Sequence, residues 1–100
     1  MGVVYNPILD ELFYATHSGP ALLNGLPLSV SSVRELQSAC LAAEYGSDRP
    51  PAKVELMLAN TSALLRNNAQ CLRSFGSCAL DMCYVAAGRL DVYCEHGPYA

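Results

Sequence analysis

Short apolar runs separated by turn residues occupy the first third of the chain and predict antiparallel strands. One run covers residues 3–5 and ends at the turn pair Asn6-Pro7, and a second covers residues 12–16. Asn24-Gly25 is the strongest short-range signal for a β-hairpin. The pattern predicts a meander of about three strands over residues 1–37.

From residue 38 the pattern changes to alternating strands and helices. The apolar run 40–43 ends at Glu44 and predicts a fourth strand. A helix is predicted next, with Ser47 or Asp48 as its N-cap and the prolines at 50–51 in its first turn.

The predicted first helix has one apolar face and a defined end. Asn67-Asn68 is expected to stop it. Apolar and small residues recur at helical spacing on the face expected to be buried, namely Val54, Met57, Leu58, Thr61, Leu64 and Leu65.

The last third repeats the arrangement. Residues 70–75 predict a strand, residues 78–87 a second helix that ends at Gly88, and residues 90–95 an alternating strand that ends at Glu95. The chain is therefore predicted to be an α+β or layered α/β protein, with antiparallel strands followed by a strand-helix-strand-helix-strand unit.

Composition and charge narrow the class of protein. The chain has 100 residues, 52% of them hydrophobic and 15% charged, which is typical of one folded globular domain. A net charge of −3 without a basic run argues against a nucleic-acid partner. The longest uncharged stretch, residues 12–33, is interrupted by glycine and proline, and no secretory signal is visible, so no membrane association is predicted.

The cysteines favour a reducing, cytoplasmic location. There are five of them, an odd number, with no C-x-x-C pair and no histidine at zinc-like spacing. Neither a disulfide framework nor a structural zinc site is supported.

Two junctions between strands and helices carry candidate binding residues. Ser77 and Cys78 lie where a helix begins, and its unpaired N–H groups could bind an anion or a hydroxyl-rich ligand. A plain helix cap explains Ser77 equally well. Ser47, after the fourth strand, is likewise most simply a cap.

Glu95 closes the last predicted strand, where α/β folds tend to place functional groups. A carboxylate there can accept hydrogen bonds from sugar-type hydroxyls, although an ordinary solvated acid fits the pattern too. His96 is interpreted as a loop residue, and Cys78 has no adjacent base to make it a nucleophile. The pattern alone contains no complete catalytic set.

Several blocks of the sequence resemble the inositol monophosphatase family. The most specific is the stretch from Arg73 to Asp91, and the similarity covers nearly the whole chain. The other matching blocks are Gly2–Pro7, Glu11–Thr16, Ala21–Gly25, Pro27–Ser31, Glu44–Ser47 and Tyr93–Gly97.

This resemblance implies a fold, an activity and a set of site residues. It implies part of the αβαβα sandwich of sugar phosphatases, in a Mg²⁺-dependent, lithium-sensitive homodimeric enzyme that hydrolyses myo-inositol monophosphate. By position, Ser47, Ser77, Cys78 and Glu95 match substrate-binding residues, within a substrate-recognition region at residues 38–100. Cys78 replaces a residue that is usually small.

The same resemblance assigns no catalytic or metal-binding residue to this chain. The family's metal ligands would lie before Met1 and directly after Ala100, so the chain is interpreted as a C-terminal-half fragment that is inactive alone. Its exposed sheet faces are expected to make it prone to association.

Two other interpretations stay open. The chain could be a natural product that lacks catalysis and serves in dimerisation or interaction. Alternatively, the complete enzyme could act on a bisphosphate nucleotide or a sugar bisphosphate instead of an inositol phosphate.

Overall fold

A computed structural model of the chain describes residues 1–97. The first four strands form an antiparallel sheet in the order β1-β2-β3-β4, and the last three form a parallel sheet in the order β6-β5-β7. The strands are β1 Gly2–Asn6, β2 Glu11–Ala15, β3 Leu22–Leu23, β4 Leu26–Pro27, β5 Cys40–Glu44, β6 Cys71–Arg73 and β7 Val92–Glu95. The helices are α1 Pro51–Arg66 and α2 Cys78–Ala86. The predicted mixed α/β class is confirmed.

The antiparallel sheet contains one strand more than the sequence pattern predicts. Asn24 and Gly25 have φ values of 48° and 84°, which suit the two central positions of a tight hairpin. This turn joins β3 and β4, each two residues long, so the sheet has four strands where about three were predicted. The hairpin signal was therefore correct and the strand count was not.

The parallel sheet contains the best-buried part of the chain. Its central strand β5 buries Leu41, Ala42 and Ala43, which are 2%, 0% and 5% exposed. Three consecutive buried residues require cover on both faces of a strand, which is the usual situation in a parallel sheet. The continuous apolar run at residues 40–43 of the sequence indicates a strand that is covered on both faces.

The two helices lie on opposite sides of the parallel sheet. Helix α2 packs between the two sheets, since it contacts both β1 and β7 and Tyr84 contacts Phe13 edge-to-face at 6.3 Å. Helix α1 shares a cavity with Leu41, Val92 and Cys94 on the other side. The layers are therefore antiparallel sheet, α2, parallel sheet and α1.

The start of α1 differs from the sequence-based prediction. The helix begins at Pro51, its N-cap is Pro50, and neither Ser47 nor Asp48 caps it. A residue that precedes proline is disfavoured in the helical region, so Arg49 and Pro50 cannot join the helix. The predicted end is confirmed, because α1 stops at Arg66 and Asn68 adopts a φ of 59°.

The apolar face of α1 is narrower than its spacing suggests. Met57 is buried and Val54, Thr61 and Leu64 are half-buried, but Leu58 and Leu65 are exposed.

Within residues 1–97, neither helix combines the length and the apolar content needed to cross a bilayer.

Helix α2 has the predicted caps at both ends. Ser77 Oγ accepts a hydrogen bond from the Leu80 amide at 3.4 Å, and Gly88 follows the helix with a φ of 70°. A Cβ at Gly88 would lie 3.0 Å from the Ser29 carbonyl oxygen and 3.2 Å from the Ser31 nitrogen. Glycine is required there for its conformation and for the close approach of the segment that joins the two sheets.

Candidate functional site

The carboxyl ends of the three parallel strands meet at one edge of the sheet, where they border a cavity of about 400 Å³. Parallel strands all deliver their carboxyl ends to the same edge, so residues distant in sequence converge there. The lining residues are Glu44, Tyr45, Gly46, Arg49, Ser74, Gly76, Cys78 and Glu95.

Glu95 reaches this cavity from the end of β7, where it is the register partner of Glu44. The Tyr93 hydroxyl donates a hydrogen bond to Glu95 Oε2 at 2.5 Å. Burial, followed by this bond to the Glu95 carboxylate, raises the pKa of Tyr93 well above its usual value. Tyr93 therefore stays protonated and holds the Glu95 side chain in one orientation.

Glu44 organises the turn between β6 and α2. Its Oε1 atom accepts hydrogen bonds from the amides of Phe75 and Gly76 at 2.6 and 3.0 Å. Ser74 Oγ donates to the Ala43 carbonyl oxygen at 2.6 Å, which secures the same turn to β5. Sequence reasoning gave Glu44 no role beyond flanking a turn, because its partners are more than thirty residues away.

Ser77 and Cys78 occupy the first positions of α2. The Ser77 hydroxyl caps the helix, as one of the two sequence-based interpretations has it. Cys78 is exposed and lines the cavity together with Glu44 and Glu95. The substrate-binding roles of both residues stay predictions.

Ser47 lies outside this cluster. It is exposed in the loop between β5 and α1 and is absent from the lining of the cavity. The Arg49 side chain holds this loop by donating from Nη1 to the carbonyl oxygens of Tyr45, Gly46 and Asp48 at 3.1, 3.0 and 2.8 Å. The structure therefore brings Cys78 and Glu95 together and leaves Ser47 on the surrounding loop.

Asp81 is an acid in the first turn of α2, beneath the site, and its burial was not predicted from the sequence. It is 0% exposed, and neither carboxylate oxygen has a hydrogen-bond partner within the described chain. Burial, followed by the nearby charges of Glu44 and then Glu95, raises the pKa of Asp81. Its position one helical turn after Ser77, beside Leu80 and before Tyr84, was the available signal that it lies on the packed face.

The described residues do not fit a complete Mg²⁺ site. Within residues 1–97, no three histidine, cysteine or acidic side chains come together as metal ligands. His96, interpreted from sequence as a loop residue, lies 2.6 Å from Asn60 Nδ2 through its Nε2 atom. No catalytic step through a metal ion can be derived from this part of the chain.

Comparison with known proteins places these features in context. The family model described as "Inositol monophosphatase family" matches residues 1–100. The chain is 47% identical to inositol monophosphatase 3 of Solanum lycopersicum, covering 95% of this chain and 35% of that protein. It is 43% identical to the protein named Nus factor SuhB of Haemophilus influenzae, covering 97% of this chain and 36% of that protein.

Solved structures show the same fold over the described part of the chain. The inositol monophosphatase of Anabaena superposes with a TM-score of 0.84 at 34% identity, over 95% of this chain and 37% of that chain. The extragenic suppressor protein SuhB of Bartonella henselae superposes with a TM-score of 0.82 at 36% identity, over 95% of this chain and 35% of that chain. The chain thus spans about a third of the length of the proteins it matches.

Proposed function

This chain belongs to the inositol monophosphatase family, and we propose that it provides the substrate-binding part of a phosphatase for myo-inositol monophosphate. The observation that carries the proposal is the convergence of Glu95, Cys78 and the start of α2 on one cavity at the carboxyl edge of the parallel sheet. The relatives named as inositol monophosphatases support hydrolysis of a phosphate monoester as the reaction of the complete protein.

The proposed binding mode assigns one task to each side chain. Glu95, oriented by the Tyr93 hydroxyl, accepts hydrogen bonds from ring hydroxyls of the inositol. The N–H groups in the first turn of α2, at Ser77 and Cys78, contact the ring from the other side. Glu44 keeps the turn that carries them in place. Ser47 is proposed to join from the loop between β5 and α1. Residues 38–100 together form the proposed substrate-recognition region.

Mg²⁺ is part of this proposal for the complete protein only. A bound metal ion activates water and neutralises charge on a phosphate ester. Because residues 1–97 hold no ligand set for it, we expect the isolated chain to release no phosphate from myo-inositol 1-phosphate in the presence of Mg²⁺. Release above a buffer control by the purified chain would contradict this.

Binding can be tested without catalysis. We expect amide resonances of residues 44–47 and 76–78 to shift when myo-inositol 1-phosphate is titrated into the isotope-labelled chain. Glu95→Gln should weaken binding about tenfold, the loss typical of a charge-assisted hydrogen bond. The matched control is Glu55→Gln, because Glu55 is an exposed acid on α1 away from the cavity. Equal affinity of the Glu95 variant and the control would overturn the assignment of Glu95.

The same titration distinguishes the substrate classes. A relative with 43% identity is named a Nus factor, so similarity at this level does not settle the substrate. We expect tighter binding of myo-inositol 1-phosphate than of a bisphosphorylated nucleotide or a sugar bisphosphate. The reverse order would assign the alternative substrate, and no binding of any ester would favour a role in interaction.

The remaining properties proposed for the complete protein concern its assembly and regulation. Homodimerisation and lithium sensitivity follow from the resemblance, and a cytoplasmic location follows from the cysteine pattern. Sedimentation of the full-length protein tests the first, and inhibition of its phosphatase activity by Li⁺ tests the second.

A further inference from the structure

Two cysteines from different parts of the sequence meet across the parallel sheet. Cys40 begins β5, Cys71 begins β6, and the two residues are register partners. Their Sγ atoms are 2.8 Å apart, and both side chains are half-buried. We propose that Cys40 and Cys71 form a reversible intramolecular disulfide by exchange with a low-molecular-weight disulfide of the glutathione type.

The backbone geometry already suits this bond. Disulfides join Cα atoms about 4.4–6.8 Å apart, and neighbouring strands of a sheet lie about 4.8 Å apart. A disulfide has an S–S distance of about 2.05 Å, so the two sulfurs need to approach each other by less than about 1 Å.

Hydrogen bonds hold both cysteines in this position. The Cys40 amide donates to Asp91 Oδ2 at 2.6 Å, and the Asp91 amide donates to the Cys40 carbonyl oxygen at 2.9 Å. The Cys71 amide donates to the Ala39 carbonyl oxygen at 3.4 Å. The pairing of the two thiols is therefore a property of the folded sheet and does not exist in the unfolded chain.

The other three cysteines are placed differently. Cys78 lies at the start of α2, Cys83 lies within α2, and Cys94 is exposed on β7 with its Sγ 3.6 Å from the Ala42 carbonyl oxygen. In the described part of the chain, Cys40 and Cys71 are the sulfur pair in direct contact. Oxidation of the folded protein should therefore be selective for one of the possible pairings.

The reaction consists of two balanced exchange steps. One of the two cysteines loses its proton to solvent, and its thiolate attacks one sulfur of the small disulfide, forms a mixed disulfide and releases one thiolate. That thiolate takes the proton of the other cysteine, whose Sγ then attacks the cysteine sulfur of the mixed disulfide and expels the second thiolate, which takes up a proton from solvent. Two cysteine thiols are oxidised and one small disulfide is reduced to two thiols.

The contact between the two thiols also affects their reactivity. The hydrogen bond between Cys40 and Cys71, followed by burial, raises the pKa of Cys40 to about 11. Since the thiolate is the nucleophile, this shift slows any attack by Cys40. Reducing thiols reverse both steps.

The disulfide would link β5 to β6. Strand β5 ends at Glu44, and β6 leads into the turn whose amides Glu44 binds. The disulfide closes a loop that contains the whole of α1, so it restricts the unfolded chain strongly. We expect the oxidised protein to unfold at a temperature at least about 5 °C higher than the reduced protein.

The experiment uses the purified chain incubated with oxidised glutathione, then alkylated and digested with trypsin. Trypsin separates the cysteines, because cleavage before Pro50 is blocked while Lys53, Arg66, Arg73 and Arg89 are cut. Cys40 then lies in peptide 35–53, Cys71 in 67–73, Cys78 and Cys83 in 74–89, and Cys94 in 90–100. We expect peptide 35–53 to be linked to peptide 67–73, with the intact chain lighter by two hydrogen atoms.

Three variants and a denatured sample complete the test. Cys40→Ser and Cys71→Ser should abolish the linked pair and the rise in unfolding temperature, whereas Cys94→Ser, an exposed cysteine of the same sheet, should retain both. The chain oxidised in guanidinium should instead give mixed pairings. The proposal is overturned if the native chain yields mainly glutathione adducts, bonds between chains, or the same mixture as the denatured sample.

Discussion

The two sheets of this protein bury their residues to very different extents. The parallel sheet has helices on both faces, and its central strand β5 buries three consecutive residues, 41–43. The antiparallel sheet has α2 on one face, and in its edge strand β1 the side chains of Val3 and Tyr5 are 56% and 53% exposed. The difference shows that the core of the described chain lies around β5.

The size of the molecule agrees with this uneven burial. The Cα radius of gyration is 15.0 Å, whereas a compact domain of 100 residues has a value of about 13 Å. A flat, partly covered sheet explains the excess. The expectation that the isolated chain associates through its exposed faces stays a prediction for sedimentation to test.

The largest expected effect separates the two sheets directly. Leu41→Ala should lower the free energy of unfolding by about 3 kcal/mol, because it leaves a cavity in the best-packed part of the chain. Val3→Ala, the matched change in the antiparallel sheet, should cost less than about 0.5 kcal/mol. Urea unfolding followed by circular dichroism measures both. Equal losses would show that the two sheets share the core evenly.

A second test concerns the junction between the sheets. Gly88→Ala should lower the free energy of unfolding by about 2 kcal/mol, since the new Cβ meets the backbone of Ser29 and Ser31 at a positive φ. Gly25→Ala has a positive φ but open space around it, so it should cost about 1 kcal/mol. If the two variants are equally stable, the close contact at Gly88 does not contribute to joining the sheets.

The third test addresses the buried acid between the layers. The folded state raises the pKa of Asp81, so folding binds a proton there. The destabilisation caused by the charged Asp81 carboxylate is therefore absent below its ordinary pKa. It grows as the pH rises through the window between the ordinary and the raised pKa. Asp81→Asn should stabilise the chain by about 1 kcal/mol at neutral pH.

The pH dependence distinguishes this effect from a general change in packing. The gain from Asp81→Asn should shrink as the pH is lowered toward about 4. Glu55→Gln, at an exposed position of α1, provides the control and should show no such trend. A gain that is the same at every pH would show that the charge of Asp81 is not its cause.

The smallest effect is expected at the ion pair between Glu11 of β2 and Arg89, which follows α2. Arg89 donates to both oxygens of Glu11, at 3.0 and 2.5 Å, and lies 5.3 Å from the ring centre of Tyr84. A double-mutant cycle with Glu11→Gln and Arg89→Met should give a small favourable coupling that decreases in about 1 M salt. The bond to Arg89 lowers the pKa of Glu11, so the coupling should disappear as the pH falls through that lowered value.

Local rules predicted the features that depend on a few neighbouring residues. Asn24-Gly25 indicated a tight turn, Gly88 the end of α2, and Ser77 its start, and each is confirmed. The predicted cap of α1 was wrong because two consecutive prolines moved the helix start beyond Ser47 and Asp48. The restriction that proline places on the preceding residue outweighed the capping preference of serine and aspartate, and the residues for both rules stand in the sequence.

Predictions that depended on burial were less successful. Spacing along α1 placed Leu58 and Leu65 on the buried face, yet both are exposed. In β7 the predicted alternation is confirmed, since Tyr93 and Glu95 are half-buried while Val92 and Cys94 are exposed. A periodic pattern identifies a face, and only the neighbouring layers determine whether that face is covered.

The sequence by itself therefore determined the order of strands and helices, their turns and the family to which the chain belongs, since these depend on local conformation and on matching blocks of residues. Tertiary structure alone decided that Glu44 meets the turn at 75–76 and that Cys40 meets Cys71. It also buries Asp81 with no hydrogen-bond partner among residues 1–97. The physical reason is that parallel strands align their ends regardless of separation along the chain, and no local rule reports that register.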